Sequence, residues 1–282
     1  MRDPESSLPI LKTKAQEALD LAAAGIQQPS PTVDNAFTFM TFAYLGKQTE
    51  HMRGILTLVA AGLCRDAGLI ARSMLEGRAQ LRWASAKPEE RAPQWQDFWP
   101  VSDWRKMNKE LKAGQSVSPA LQAKIQQALS AHGDRFLRDS GCQRQGNGLT
   151  LRSKDYWENW TGHPYSELLD LCVSAPGEVP VPEHALKLLT YSPLSAWHHW
   201  DIGGFKEAVP VAEKIAGGTV TYAYTQPGSR PCAEALAVGF QCLFVTLDIA
   251  NDPLGLGIGE KLENLFSDYC GALGENGTNI RL

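Results

Sequence analysis

The fold is decided by residues 65–86, which read RDAGLIARSMLEGRAQLRWASA. At the helical advance of about 100° per residue, the segment has two largely apolar stripes on nearly opposite faces, with a narrow polar strip between them. One stripe comprises Leu69, Arg72, Glu76, Ala79 and Trp83, and the other comprises Ala67, Ile70, Met74 and Leu81. Because a helix that is apolar on two faces is usually buried on both, the pattern predicts the central helix of a bundle.

Two charged residues, Arg72 and Glu76, lie on one of these inward stripes. They are one helical turn apart, so their side chains are close enough to pair. Charged groups are rarely buried unless they are paired or functional. We therefore expect a buried ion pair, with hydroxyl groups and one histidine from elsewhere in the chain completing its network.

The same helical period recurs along the chain, in residues 6–24, 33–63, 88–112, 118–139, 183–201, 231–250 and 258–271, and residues 154–173 hold two short helical pieces. Weak alternation makes residues 219–224 the one convincing strand candidate. The polar loop at residues 141–148 is the best candidate for a domain boundary, but its flanking segments lack separate complete hydrophobic patterns. The sequence thus predicts an all-α fold over residues 1–282. It would be a single multi-helix bundle domain with at most one short β-hairpin, a core at about 33–271, and a peripheral N-terminal helix and linker at 1–31.

A second polar cluster lies far along the chain, between positions 191 and 201. It contains Tyr191, Ser195, His198, His199 and Asp201 among apolar residues. Histidine transfers protons near neutral pH, and a guanidinium such as that of Arg72 binds an oxyanion. Pro193, within this cluster, marks either a kink or the start of a new helix.

Familiar catalytic and metal-binding motifs are missing from the sequence. A Ser–His–Asp hydrolase is disfavoured because there is no G-x-S-x-G nucleophile elbow. Adjacent histidines point to different helical faces, and neither H-E-x-x-H nor a zinc-type cysteine spacing occurs, so we predict no metal site. Gly255, Gly257 and Gly259 lack the preceding strand and following glycine of a phosphate loop. We predict no cofactor.

Composition narrows the class of protein and its compartment. The net charge of −4 gives no whole-chain signature of nucleic-acid binding. The longest apolar runs are interrupted by polar residues, so no membrane span is expected. None of the six cysteines forms C-x-x-C, and several lie in apolar runs, so all are expected to be reduced and structural. A soluble protein of the reducing cytoplasm follows from this expectation.

Three short motifs resemble those of a bacterial family known only as a domain of unknown function. They are the arginine and glutamate of Arg72-Ser73-Met74-Leu75-Glu76, the Trp160-Thr161-Gly162 segment, and the spacing of Tyr191, Ser195 and His198. The resemblance spans roughly residues 50–250. It implies an all-helical fold distantly similar to HEPN domains, many of which are metal-independent ribonucleases of bacterial defence or toxin systems. The Arg-x4–6-His motif of those ribonucleases does not occur in this sequence.

Two classes of function remain open. In the first, the protein is a non-catalytic binding or assembly module, and Arg72, Glu76, Tyr191, Ser195 and one histidine form a structural network. In the second, it is a HEPN-like ribonuclease or phosphate-binding enzyme. His198 or His199 would then be the general acid or base, Arg72 would bind the anion and Ser195 would orient it. Asp201 and Trp160 are further candidates for the binding site or the structural network. The sequence does not identify a partner, whether RNA, protein or a second copy of the chain.

Overall fold

The computed structural model describes residues 4–27, 35–138, 155–165, 167–168, 211–214, 220–222 and 229–273. These residues are mostly helical, which confirms the all-α fold class. The helices are α1 (Pro4–Ile26), α2 (Ala36–Ala60), α3 (Cys64–Ser85), α4 (Pro88–Asp97), α5 (Trp99–Lys112), α6 (Pro119–His132), α7 (Ser229–Asn251) and α8 (Gly259–Leu273). A 3-10 helix, Gly133–Phe136, follows α6, and two short strands, β1 (Val211–Lys214) and β2 (Val220–Tyr222), pair antiparallel. This pair agrees with the predicted single hairpin.

Residues group into two compact units, Met1–Arg82 with Leu169–Leu282, and Trp83–Leu168. The boundary between them falls within α3, rather than in the loop at 141–148. The single-domain organisation expected from the sequence stays a prediction.

In the first unit, α2 and α3 run antiparallel. The Tyr44 hydroxyl donates a hydrogen bond to Gln80 Oε1 (2.6 Å), and Gln48 Nε2 donates to the Met74 carbonyl (2.9 Å). Advancing from 44 to 48 on α2 therefore means moving back from 80 to 74 on α3. Most of the predicted inward apolar residues of α3 are buried, among them Ala67, Met74, Ala79 and Leu81, whereas Leu69 and Ile70 are half-buried.

Helix α7 packs directly against α2. A Cβ atom on Gly239 would lie 2.8 Å from the Ile55 side chain and 3.0 Å from Met52 Sδ, so the absence of a side chain allows this close approach. The segment Arg230–Asn251 is long and apolar enough to cross a membrane, contrary to the expectation from its interrupted sequence. However, 72% of its most apolar window is buried. This burial is typical of a core helix in a soluble protein.

Cysteine pairing differs from the sequence prediction. Cys64, at the start of α3, and Cys232, in the first turn of α7, form a disulfide whose Cα atoms are 4.5 Å apart. The prediction that all cysteines are reduced is therefore wrong for this pair, because no local spacing reveals partners 168 residues apart. Cys242 and Cys270 are buried and take no part in this disulfide. Disulfides are rare in the cytosol, so the cysteines no longer support a cytoplasmic location.

The second unit has an aromatic core. Phe98 packs edge to face on Phe136 at 5.1 Å between ring centroids, and Trp104 packs in the same way on Tyr156 at 5.4 Å. An isolated antiparallel bridge pairs Leu137 with Tyr156. This bridge fixes the position of the segment from residue 155 onward, which carries the Trp160-Thr161-Gly162 motif.

Two local predictions in the second unit require correction. The single helix expected at 88–112 is divided at Phe98 into α4 and α5. Pro100 explains the division, because it has no amide N–H to donate to the Gln96 carbonyl and its ring would clash with it. The first helical piece expected near residue 154 is instead the bridge at Tyr156 followed by turns, since tertiary pairing with Leu137 overrides the local helical tendency.

Candidate functional site

The Arg72–Glu76 pair predicted from the sequence is present on α3. Arg72 Nη2 lies 3.3 Å from Glu76 Oε1, and the two side chains are 14% and 37% exposed. Only the arginine is largely buried, so the pair is not the fully buried one expected. A half-exposed carboxylate keeps much of its hydration, which weakens its contribution to stability.

The other half of the predicted cluster lies outside the described residues. Tyr191, Ser195, His198, His199 and Asp201 all fall in this part of the chain. Their placement beside Arg72 stays a prediction.

Trp160 is a buried member of the aromatic core of the second unit. Its indole is 5% exposed and packs edge to face against Trp83, with 5.2 Å between ring centroids. The guanidinium of Arg91 lies 4.1 Å above the Trp83 ring and donates a hydrogen bond to the backbone carbonyl oxygen of Trp83. Trp160 is thus a packing anchor, and it holds in place the polar loop that surrounds it.

The Asn159 side chain holds this loop in one conformation. Its Oδ1 accepts hydrogen bonds from the backbone N–H (3.0 Å) and the hydroxyl (2.6 Å) of Thr161. Its Nδ2 donates to the carbonyl of His163 (2.9 Å). The turn that these bonds close ends in Gly162, which has a φ of +75°. Positive φ is favourable for glycine and unfavourable for other residues.

A cavity of about 280 Å³ opens beside the loop. We call it the loop cavity. Cationic, anionic, amide and aromatic side chains line it, namely those of Arg138, Trp157, Glu158, Asn159, His163 and Pro164, together with Gly162. The cavity is more polar than a usual small-molecule site, but it has the convergent polar groups that orient a ligand in such sites.

Arg138 reaches the cavity because the Leu137–Tyr156 bridge brings its strand alongside the loop. Its Nε donates to the Tyr156 carbonyl (3.0 Å), and its Nη2 contacts Glu158 Oε1 at 2.9 Å. The side chains of this pair are 48% and 84% exposed. The first bond therefore orients the guanidinium, while the exposed pairing with Glu158 contributes little to stability.

Arg105, on α5, holds the backbone of the loop through hydrogen bonds. Its guanidinium donates to the carbonyls of Glu158 (3.0 Å), Tyr156 (3.2 Å) and Trp157 (2.6 Å). Burial lowers the pKa of Arg105, the charge of Arg138 lowers it further, and Glu158 acts in the opposite direction. Two guanidiniums and one carboxylate thus interact electrostatically in this part of the unit.

His163 is fixed in the wall of the loop cavity by two contacts. Its Nδ1 lies 3.2 Å from Glu167 Oε1, and its ring packs edge to face on Trp83 with 6.1 Å between centroids. When a carboxylate accepts the Nδ1 proton, the other ring nitrogen of a neutral imidazole becomes an acceptor. The arrangement suits hydrogen bonding to a ligand as well as proton transfer.

Among the described residues, no three histidine, cysteine, aspartate or glutamate side chains are placed to hold a metal ion. The sequence did not indicate most of the loop cavity. The predicted Trp160-Thr161-Gly162 motif contains only Gly162 of its lining, and no sequence motif pointed to Arg138, Glu158 or His163. The signal was the position of His163, which directly follows Gly162; Arg138 is 25 residues away in sequence and only the bridge brings it near.

Comparison with known proteins gives one match. The model of a protein family described as a family of unknown function, DUF5677, matches residues 38–209, which is more than half of the chain. The matched range includes the whole loop cavity. No curated protein and no solved structure is significantly similar to the chain.

Proposed function

The chain belongs to this family of unknown function, and we propose that it is a soluble, non-catalytic binding module whose ligand occupies the loop cavity. The observation that carries the proposal is the set of hydrogen bonds that hold the loop in place. Asn159 and Arg105 hold it through hydrogen bonds that do not require a ligand. A site that is ordered before binding loses less conformational entropy when the ligand arrives, which favours affinity.

The proposal also covers the cellular location of the protein and the role of the Arg72–Glu76 pair. We place the protein in the cytoplasm, and Cys64–Cys232 is the feature least typical of that compartment. The half-buried Arg72–Glu76 pair would act as a structural lock on α3, completed by Tyr191, Ser195 and one histidine. Such networks fix helix register even where they add little net stability.

A ligand-observed NMR screen tests the binding role. The library would contain anionic, neutral and cationic fragments, and the protein would be the full chain. We expect fragments whose binding is lost in His163→Ala, since the imidazole lines the loop cavity. His132→Ala is the matched control: His132 also pairs through Nδ1 with a carboxylate, that of Asp97 at 3.5 Å, but it does not line the cavity. A screen in which every fragment binds the two variants and the wild type equally would contradict the proposal.

The second candidate function is a HEPN-like metal-independent ribonuclease or a phosphate-binding enzyme. The guanidinium of Arg72, 14% exposed and oriented by Glu76, favours it as an anion-binding group. His198 or His199 would be the general acid or base and Ser195 an orienting hydroxyl. Cleavage of RNA in the presence of a metal chelator, abolished in a stably folded His198→Gln variant, would support this function over the first. Absence of cleavage by the wild type would refute the ribonuclease activity.

A further inference from the structure

We infer that the ligand of the loop cavity carries an oxyanion, a phosphate or a carboxylate group, and that Arg138 receives it; this inference rests on the proposed binding role. Guanidinium groups match the planar spacing of oxygens in both kinds of anion, so the two share one recognition chemistry.

The first argument is the position of Glu158. Its carboxylate contacts Arg138 Nη2 at 2.9 Å, and it thereby occupies the place where an oxygen of the ligand would bind. The Glu158 side chain is 84% exposed, so it can rotate into solvent without losing buried contacts. An incoming oxyanion would therefore take the place of the Glu158 carboxylate on Arg138, and the loop would lose little stability.

The second argument is the charge that remains when Glu158 leaves. Arg138 stays oriented by the Tyr156 carbonyl, and Arg105 stays bonded to the three backbone carbonyls below the loop. The lowered pKa of Arg105, caused first by burial and then by Arg138, indicates that the two positive charges are close enough to repel each other. A bound anion relieves this repulsion, whereas a bound cation would increase it.

The third argument is size. The volume of about 280 Å³ lies just below the range of roughly 300–1,000 Å³ that holds drug-sized ligands, which favours a small ligand. Trp157, Gly162 and Pro164 supply an apolar wall beside the charged groups. A small phosphate monoester or carboxylic acid fits this combination better than a strand of RNA, which needs an extended surface with several stacking platforms.

The test measures the binding of inorganic phosphate and of acetate by the full chain, at constant ionic strength. The readout is the change in the backbone amide NMR signals of residues 157–163, with chloride as the reference anion. Preference between phosphate and acetate identifies the kind of oxyanion. We expect Arg138→Gln to weaken binding at least about tenfold, because a charge-assisted hydrogen bond is lost. We expect Glu158→Gln to tighten binding by up to about fivefold, because the competing carboxylate is removed.

Arg135→Gln is the matched control. Arg135 is 43% exposed and pairs with Asp97, much as Arg138 pairs with Glu158, but it does not line the loop cavity. The affinity of the Arg135→Gln variant for the anions should stay within about twofold of that of the wild type. If Arg138→Gln folds poorly, Arg138→Lys keeps the charge but loses the planar fork, and should bind with intermediate affinity.

Several results would overturn the inference. One is weaker anion binding in Glu158→Gln; another is the absence of signal changes with both anions at millimolar concentration. A third is Arg138-dependent binding of a short single-stranded RNA without binding of either small anion. The proposed binding role fails separately: fragments that require His163 while neither anion binds would leave the role intact and refute only the ligand class.

Discussion

Substitution of Gly162 by alanine should destabilise the second unit for two separable reasons. The backbone φ of +75° costs a residue with a Cβ about 1–2 kcal/mol. In addition, that Cβ would lie 3.1 Å from two ring carbons of Trp157. The indole packs edge to face on Phe136 at 5.6 Å, so moving it away from the new Cβ would disturb this contact. Overpacking of this kind costs about 1–3 kcal/mol. The expected loss for Gly162→Ala is therefore about 2–5 kcal/mol in the free energy of unfolding.

Gly114 provides the control that separates the two terms. Its φ is +76°, nearly the same as that of Gly162, but a Cβ at this position would have no atom within 4 Å. Gly114→Ala should lose only the backbone term of about 1–2 kcal/mol. Both variants would be measured by urea denaturation of the full chain, followed by tryptophan fluorescence. Equal losses for the two variants would refute the close contact between Gly162 and Trp157, and with it the described wall of the loop cavity.

Three further outcomes are expected in the first unit. Glu76→Ala should lower the free energy of unfolding by only about 1 kcal/mol, because the Glu76 carboxylate that pairs with Arg72 is 37% exposed. A loss of 3 kcal/mol or more, measured by denaturation, is typical of breaking a buried pair and would contradict this expectation. Burial lowers the pKa of His51 below its usual value of 6.5, so the unfolded state binds protons first as the pH falls. Stability should therefore be full above pH 6.5 and decline below it, and a urea-denaturation series should show a shallower decline for His51→Gln. Reduction of Cys64–Cys232, which closes a span of 168 residues, should cost up to about 5 kcal/mol and lower the melting temperature, with no such effect of reductant on Cys232→Ser. Rapid alkylation of both cysteines in the unreduced, unfolded protein would show that the bond is absent.

Local patterns were sufficient to predict most helices. A serine followed by proline, such as Ser118-Pro119, is a typical helix start, and the Ser118 hydroxyl accepts a hydrogen bond from the Leu121 N–H (3.3 Å) at the start of α6. The two apolar stripes of residues 65–86 predicted α3, and most of their apolar side chains are buried. These features depend on residues within a few positions of each other, so a single sequence contains the information.

The candidate site was harder to predict, because its parts come from separate segments. Nothing local to Arg138 or Arg105 distinguishes them from other surface arginines. They become parts of a site only because the bridge at Leu137 and the hydrogen bonds of Arg105 bring them to the loop that contains Asn159. Conversely, Arg72 and Glu76 were identified by spacing alone, but spacing does not give the exposure of the carboxylate.

The sequence by itself determined the helical class of this protein, the ends of several helices, and the pairing of Arg72 with Glu76, because helical periodicity and caps act over one or two turns. Only the tertiary structure decided the disulfide between Cys64 and Cys232, the division into two units, and the meeting of Arg138 with the loop at Asn159. Each of these joins residues that are far apart in the chain. Such contacts form because packing the whole chain makes up for the entropy lost in closing long loops, and no local pattern records which distant partners will meet.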